Sequence, residues 1–216
     1  MMEAASLLDF SDFFEQLAAE HTEDPCDGFG LAHVKRVGDL ARKIQEQHGG
    51  DWAVIQAGAL LHHVGGAHET AAAGLEVAER VLQLFENTQY DDSFANEVAS
   101  CIENMTLAQH SQVKTREAQV LWDANQLEWL GMIGLSRLFA RAGRLGTSLF
   151  GVDASIAPLN DPIEPNPSSV QNMVFYVMSR LPDKMFTETG REMAHQRYEI
   201  MEAFFARAQA ESFTQR

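Results

Sequence analysis

Apolar residues recur along most of this chain with the 3.6-residue period of an α-helix, and alternation with period two is almost absent. Phe10, Phe13, Phe14 and Leu17 fall at i, i+3, i+4 and i+7. They predict an amphipathic helix over residues 5–20 with acids outward and Ser6 or Asp9 as its cap. Pro25, Gly28 and Gly30 then mark a loop. A second helix runs from about Leu31 to Gln47 on Val34, Val37, Leu40, Ala41 and Ile44, and Gly49 and Gly50 end it. Asp51 caps a third, from Trp52 to about His63, that is apolar on nearly every side and therefore belongs at the centre.

Further helices are expected at about Glu69–Glu86 and Phe94–Met105, and from Thr115 to about Leu130. Gly131 and Gly134 break or thin the helix that continues to Ala142, and the last two cover about Val170–Arg180 and Glu188–Ala210. Residues 146–169 hold four of the six prolines and little periodicity, which predicts a long loop or lid. The expectation is one all-α domain over residues 1–216, its helices packed around the third.

Charge narrows the function classes. The 16 Lys and Arg stand against 31 Asp and Glu, a net charge of −15. Residues 1–34 carry eight acids and no Lys or Arg. This balance excludes a general nucleic-acid polymer binder and disfavours docking on anionic lipid. The most apolar stretch, Trp52 to Leu61, is too short to span a bilayer and runs into His62 and His63. With an acidic N-terminus and only Cys26 and Cys101, a reduced cytoplasmic protein is expected.

The informative residues are polar ones on apolar faces. His33 shares its face with Val37, Leu40 and Ile44, and His62 and His63 close the most hydrophobic helix. Asp123 lies with Val120, Leu127 and Leu130 on another inward face. A buried carboxylate must find a cation or several donors. One divalent ion shared by these groups is an economical answer, since imidazole and carboxylate both ligate Zn, Fe, Mn, Co or Ni. The alternative is plain packing: core histidines with one backbone hydrogen bond each, and Asp123 paired with Arg116 or Arg137. Arg137, Arg141 and Arg144 form one helix stripe, read either as a phosphate contact or as a solvated surface.

The series AHVKRVGDLARKI, AGALLHHVGG and TREAQVLWDANQLEWLGMIGLSRLF resembles the HD-domain metal-dependent phosphohydrolases, in particular their small single-domain bacterial branch. The closing MFTETGREMAHQRYEIMEAFF is similar to the last helix of that branch. The resemblance implies an HD-domain helical bundle with His33, His62 and Asp123 as metal ligands. It further implies that Arg36 and Arg137 contact substrate, and that Glu117 matches the Glu of a T-x-E-A segment. The dyad Asp of the family, a ligand that orients the attacking water, is replaced by His63. An accessory His is replaced by Asn104, although His110 lies close. Asn125 and Glu128 stand for two further Asp of the distal motif.

The expected function is a metal-dependent phosphohydrolase acting on a nucleotide or small phosphate ester. One divalent ion, more readily Zn, Fe, Mn, Co or Ni than Mg, would sit on His33, His62, Asp123 and, as a fourth ligand, His63. Asp123 and His63 would serve the chemistry, with Arg36, Arg137 and Arg141 on the phosphate. The alternative is an HD-fold pseudoenzyme that binds metal or ligand without turnover, motivated by the three departures at one site. A two-iron oxygenase needs more carboxylates than the chain offers there. His68, six residues after His62, is a further candidate, while His21, His48, His110 and His195 are expected at helix ends or on the surface. Trp122 and Trp129 flank Asp123 and are expected in the core.

Overall fold

The run from Trp52 to Leu61 folds as predicted and lies buried at the centre of the structure, a computed structural model that describes residues 10–22, 30–65, 71–86, 88–150 and 169–212. The helices are α1 (Phe10–His21), α2 (Leu31–His48), α3 (Trp52–Leu61), α4 (Ala71–Phe85), α5 (Asp92–Glu103), α6 (Arg116–Leu127), α7 (Gly131–Leu145), α8 (Val170–Tyr176), α9 (Leu181–Lys184) and α10 (Glu188–Ser212). Among the described residues there is no strand, only an isolated bridge between Ser148 and Ser169. The fold is all-α, as the periodicity requires. Ser6, Asp9, Cys26, Gly28, Gly66, His68 and residues 151–168 of the Pro-rich stretch lie outside the described residues.

Helix α3 packs against α1, α2, α5 and α6. Val54, Ile55, Ala57, Ala59, Leu60 and Leu61 are all buried. Each large side chain so enclosed contributes about 1.5–3 kcal/mol relative to exposure. Gly58 lets α6 approach, since a β-carbon there would lie 2.9 Å from Leu121 Cδ2. On the far side, Phe14 of α1 meets Phe85, Tyr90 and Phe94 at ring separations of 5.3–6.3 Å. That aromatic cluster ties α1 to α4 and α5.

Local chemistry sets the helix starts. Asp51 accepts from Ala53 N, Asp91 from Phe94 N and Thr115 from Ala118 N, each supplying an acceptor to an otherwise orphaned amide. Glu117, the acid of the T-x-E-A segment, accepts from Asp51 N at 2.8 Å and so ties the start of α6 to the start of α3. Gly49 ends α2 with φ 82°, a left-handed conformation that disfavours other residues.

Two boundaries refine the sequence expectation. At the first the expectation left a break or a thinning open, and Gly131 with φ 72° makes it a break between α6 and α7. The segment after Val170 divides into α8, a 3₁₀ turn at Met178–Arg180 and α9. Pro182 explains this, because its ring would collide with the carbonyl of residue 178 in an unbroken helix. No helix of the described residues is long and apolar enough to cross a membrane.

Candidate metal centre

His33 lies in the first turn of α2, and His62 and His63 form the turn that ends α3. The backbone amide of His62 donates to Gly58 O at 3.0 Å, closing the last turn and aiming the two rings at α2. All three histidines are buried. Their ring centroids are 5.1 Å (His33–His62), 4.8 Å (His33–His63) and 4.5 Å (His62–His63) apart. One ligand nitrogen from each lies within 4.8 Å of the others.

The hydrogen bonds settle which nitrogens carry protons. His62 Nδ1 lies 2.7 Å from Ala59 O, and a carbonyl only accepts, so Nδ1 is protonated. His33 Nδ1 lies 3.2 Å from Glu128 Oε2. Burial opposes ionisation of Glu128, but hydrogen bonds from His33 and Arg36 outweigh it and hold the carboxyl at about 2. That carboxylate accepts, so His33 Nδ1 donates. Burial also pushes His33 down to about 4, although the Glu128 hydrogen bond pulls the other way. Burial thus favours a neutral His33 ring, and the nitrogens left to face each other are His33 Nε2 and His62 Nε2.

Those two Nε2 atoms face each other at 3.2 Å. With both Nδ1 atoms protonated these two nitrogens are acceptors facing each other, an arrangement that a shared cation relieves. A proton would serve, but burial disfavours an imidazolium there. An ion bound at about 2.0–2.1 Å to both nitrogens in near-tetrahedral geometry would hold them about 3.3 Å apart. The donor set thus fits a transition-metal ion. Three imidazoles without a carboxylate fit Mg poorly, since Mg takes oxygen ligands.

Asp123, which the resemblance assigned to the metal, stands outside this three-histidine group. Its Oδ1 accepts from Phe186 N at 3.0 Å, and its Oδ2 accepts from Thr187 N at 2.8 Å and Thr187 Oγ1 at 2.7 Å. Burial raises its carboxyl to about 6, against those hydrogen bonds. Gly190 makes room for the contact: a β-carbon there would collide with Asp123 Oδ2 and lie 2.8 Å from Thr187 Oγ1. The sequence prediction that Asp123 is buried and needs several donors holds. Its partners come from the two residues just before α10 rather than from Arg116 or Arg137.

The arginines divide. Arg36 donates from Nε at 2.9 Å to Glu128 Oε2, with Nη2 at 2.8 Å, and remains partly exposed. Arg137 is buried, donates to Glu128 O at 3.1 Å, and places its guanidinium 4.5 Å from the Trp129 ring centroid. Along α7 the stripe then rises to the surface, with Arg141 half-buried and Arg144 exposed. Glu128, 1% exposed, was matched in the sequence only to the last Asp of the distal motif and was given no role at the site. A second signal is an acid set among Leu127, Trp129 and Leu130. His110 donates from Nε2 to Lys184 O and stacks on Phe186, and Trp122 is buried beside both, a packing role as expected.

Comparison with known proteins agrees with this architecture. Residues 30–130 match the model of the HD domain. YpgQ of Bacillus subtilis (strain 168) is 28% identical over 186 residues, covering 84% of this chain and 83% of its own. The crystal structure of YpgQ in complex with ADP superposes with a TM-score of 0.69 at 24% identity, covering 93% of this chain and 97% of that one. An HD-superfamily hydrolase from Bacillus thuringiensis gives 0.69 at 26% identity, covering 95% and 97%.

Proposed function

We propose that this chain, a member of the HD-domain superfamily, is a phosphohydrolase that holds one divalent transition-metal ion on His33, His62 and His63 and acts on a nucleotide or small phosphate ester. The carrying observation is the buried group of three histidines whose ligand nitrogens lie within 4.8 Å of one another, with His33 Nε2 and His62 Nε2 3.2 Å apart. The superfamily hydrolase from B. thuringiensis supports the reaction class, and the ADP complex of YpgQ supports the substrate class. A bound ion would lower the pKa of coordinated water and offset charge on the phosphate.

The chain's own groups supply the rest. Arg36 has N–H donors beyond the two on Glu128 and reaches solvent, which suits it to meet an incoming phosphate. Arg141 stands one turn beyond Arg137 on α7 and adds positive charge toward the surface. His63 occupies the position where the family places a carboxylate. An imidazole there lacks the negative charge of that carboxylate. Asp123 already accepts three hydrogen bonds from Phe186 and Thr187, so a fourth-ligand role would draw on the acceptor capacity left on Oδ1. The reading includes a reducing, cytoplasmic setting, consistent with a buried free Cys101.

A second reading, binding without turnover, draws on one observation: no carboxylate of the described residues belongs to the metal-sized group. Loss of a general base typically lowers rate by about 10²–10⁴-fold. The deciding experiment incubates metal-loaded protein with ADP, ATP and p-nitrophenyl phosphate. Phosphate release that disappears on chelation and in His62→Ala supports the hydrolase. Stoichiometric metal with nucleotide binding but no release overturns it in favour of the second reading.

A further inference from the structure

We propose that Glu128 is a positioning residue that fixes the His33 ring with Nδ1 protonated and Nε2 bare toward His62, while Arg36 and Arg137 clamp Glu128 itself. The inference rests on the metal-binding reading above and deepens it. Glu128 follows the last residue of α6, ninety-five positions from His33, and its Oε2 is the atom on which the cluster converges. His33 Nδ1 lies 3.2 Å from Oε2, and Arg36 Nε and Nη2 lie 2.9 and 2.8 Å from it. Arg137 Nη1 stands 3.9 Å from Oε2 while donating to Glu128 O. The side chain is 2% exposed, so water does not compete for these contacts.

This geometry does three things. Two guanidinium groups compensate a carboxylate that burial would otherwise penalise. The compensated carboxylate accepts the Nδ1 proton of His33, which forces the lone pair onto Nε2. The Cζ of Arg137 over Trp129 fixes that arginine in turn. Carboxylate partners of this kind orient a ligating histidine and raise its basicity, and their removal typically weakens metal binding by about 10–100-fold. The two arginines that sequence resemblance assigned to substrate therefore also organise the ligand shell.

The test is ¹⁵N NMR of the imidazole nitrogens in metal-free protein at pH 7, alongside zinc affinity. In the wild type, His33 is expected as the Nδ1–H tautomer, a spectroscopic signature that packing alone does not dictate. In Glu128→Gln the amide presents either a donor or a weaker acceptor, so the tautomer mixes and zinc binds about 10–100-fold more weakly. Glu128→Asp keeps the charge and restores part of both. A wild-type His33 carrying its proton on Nε2 overturns the inference without any variant, even if Glu128→Gln fails to fold. An unchanged tautomer and unchanged zinc affinity in a folded Glu128→Gln also overturn it. The expected tautomer in a wild type that binds no zinc leaves the role of Glu128 standing and sinks the metal-binding reading instead.

Discussion

His62→Ala is expected to lose metal binding almost completely while keeping its fold. Wild-type protein with ligand at 100 times its Kd gains about 2.7 kcal/mol, because metal binds only the native state. For a chain of this size that corresponds to a rise in Tm of about 5–10 °C. The variant is expected to show no such rise, and its affinity is expected to fall by more than the ~10–100-fold typical of outer partners. Without metal the change is mild. Alanine removes the hydrogen bond to Ala59 O, worth about 1 kcal/mol, but also removes one of the two opposed lone pairs. Differential scanning fluorimetry with zinc, cobalt and manganese reads both numbers. An equal metal-induced rise in the variant would place the ion elsewhere.

Asp123→Asn is expected to do the reverse, lowering stability with little effect on metal content. The carboxylate accepts from Phe186 N, Thr187 N and Thr187 Oγ1. Thr187 Oγ1 in turn accepts from Gly190 N, so the whole start of α10 hangs on Asp123. An asparagine turns an NH₂ group toward at least one of these donors. Leaving buried donors unmatched costs about 2–3 kcal/mol, or a Tm lower by about 5–10 °C. Gly190→Ala is expected to act in the same direction, since its β-carbon would enter the space of Asp123 Oδ2. Thermal melts with metal analysis of the same samples check this. A variant with wild-type Tm and depleted metal would instead make Asp123 a ligand.

Much of the fold was legible because it is written in local rules. The 3.6-residue period marked α2, the all-round apolarity of Trp52–Leu61 marked the centre, and Asp51 stands as the cap it was predicted to be. The break at Gly131 was ambiguous because glycine merely permits a positive φ, and tertiary packing decides whether it is used. The three histidines were legible as polar groups on apolar faces. Glu128 was matched to the distal motif, but its pairing was not legible, because His33 and Arg36 lie more than ninety residues away and no local period encodes that contact. The same holds for Asp123. Its burial was readable from Val120, Leu127 and Leu130, whereas its donors at Phe186 and Thr187 belong to the far end of the chain.

The central claim is that His33, His62 and His63 share one transition-metal ion. Anomalous scattering from crystals of protein purified without added metal tests it most directly. One peak at the absorption edge of Zn, Fe, Mn, Co or Ni, within ligand distance of His33 Nε2, His62 Nε2 and a His63 nitrogen, is the predicted result. No peak there, with the three rings turned to protein hydrogen-bond partners, would contradict it.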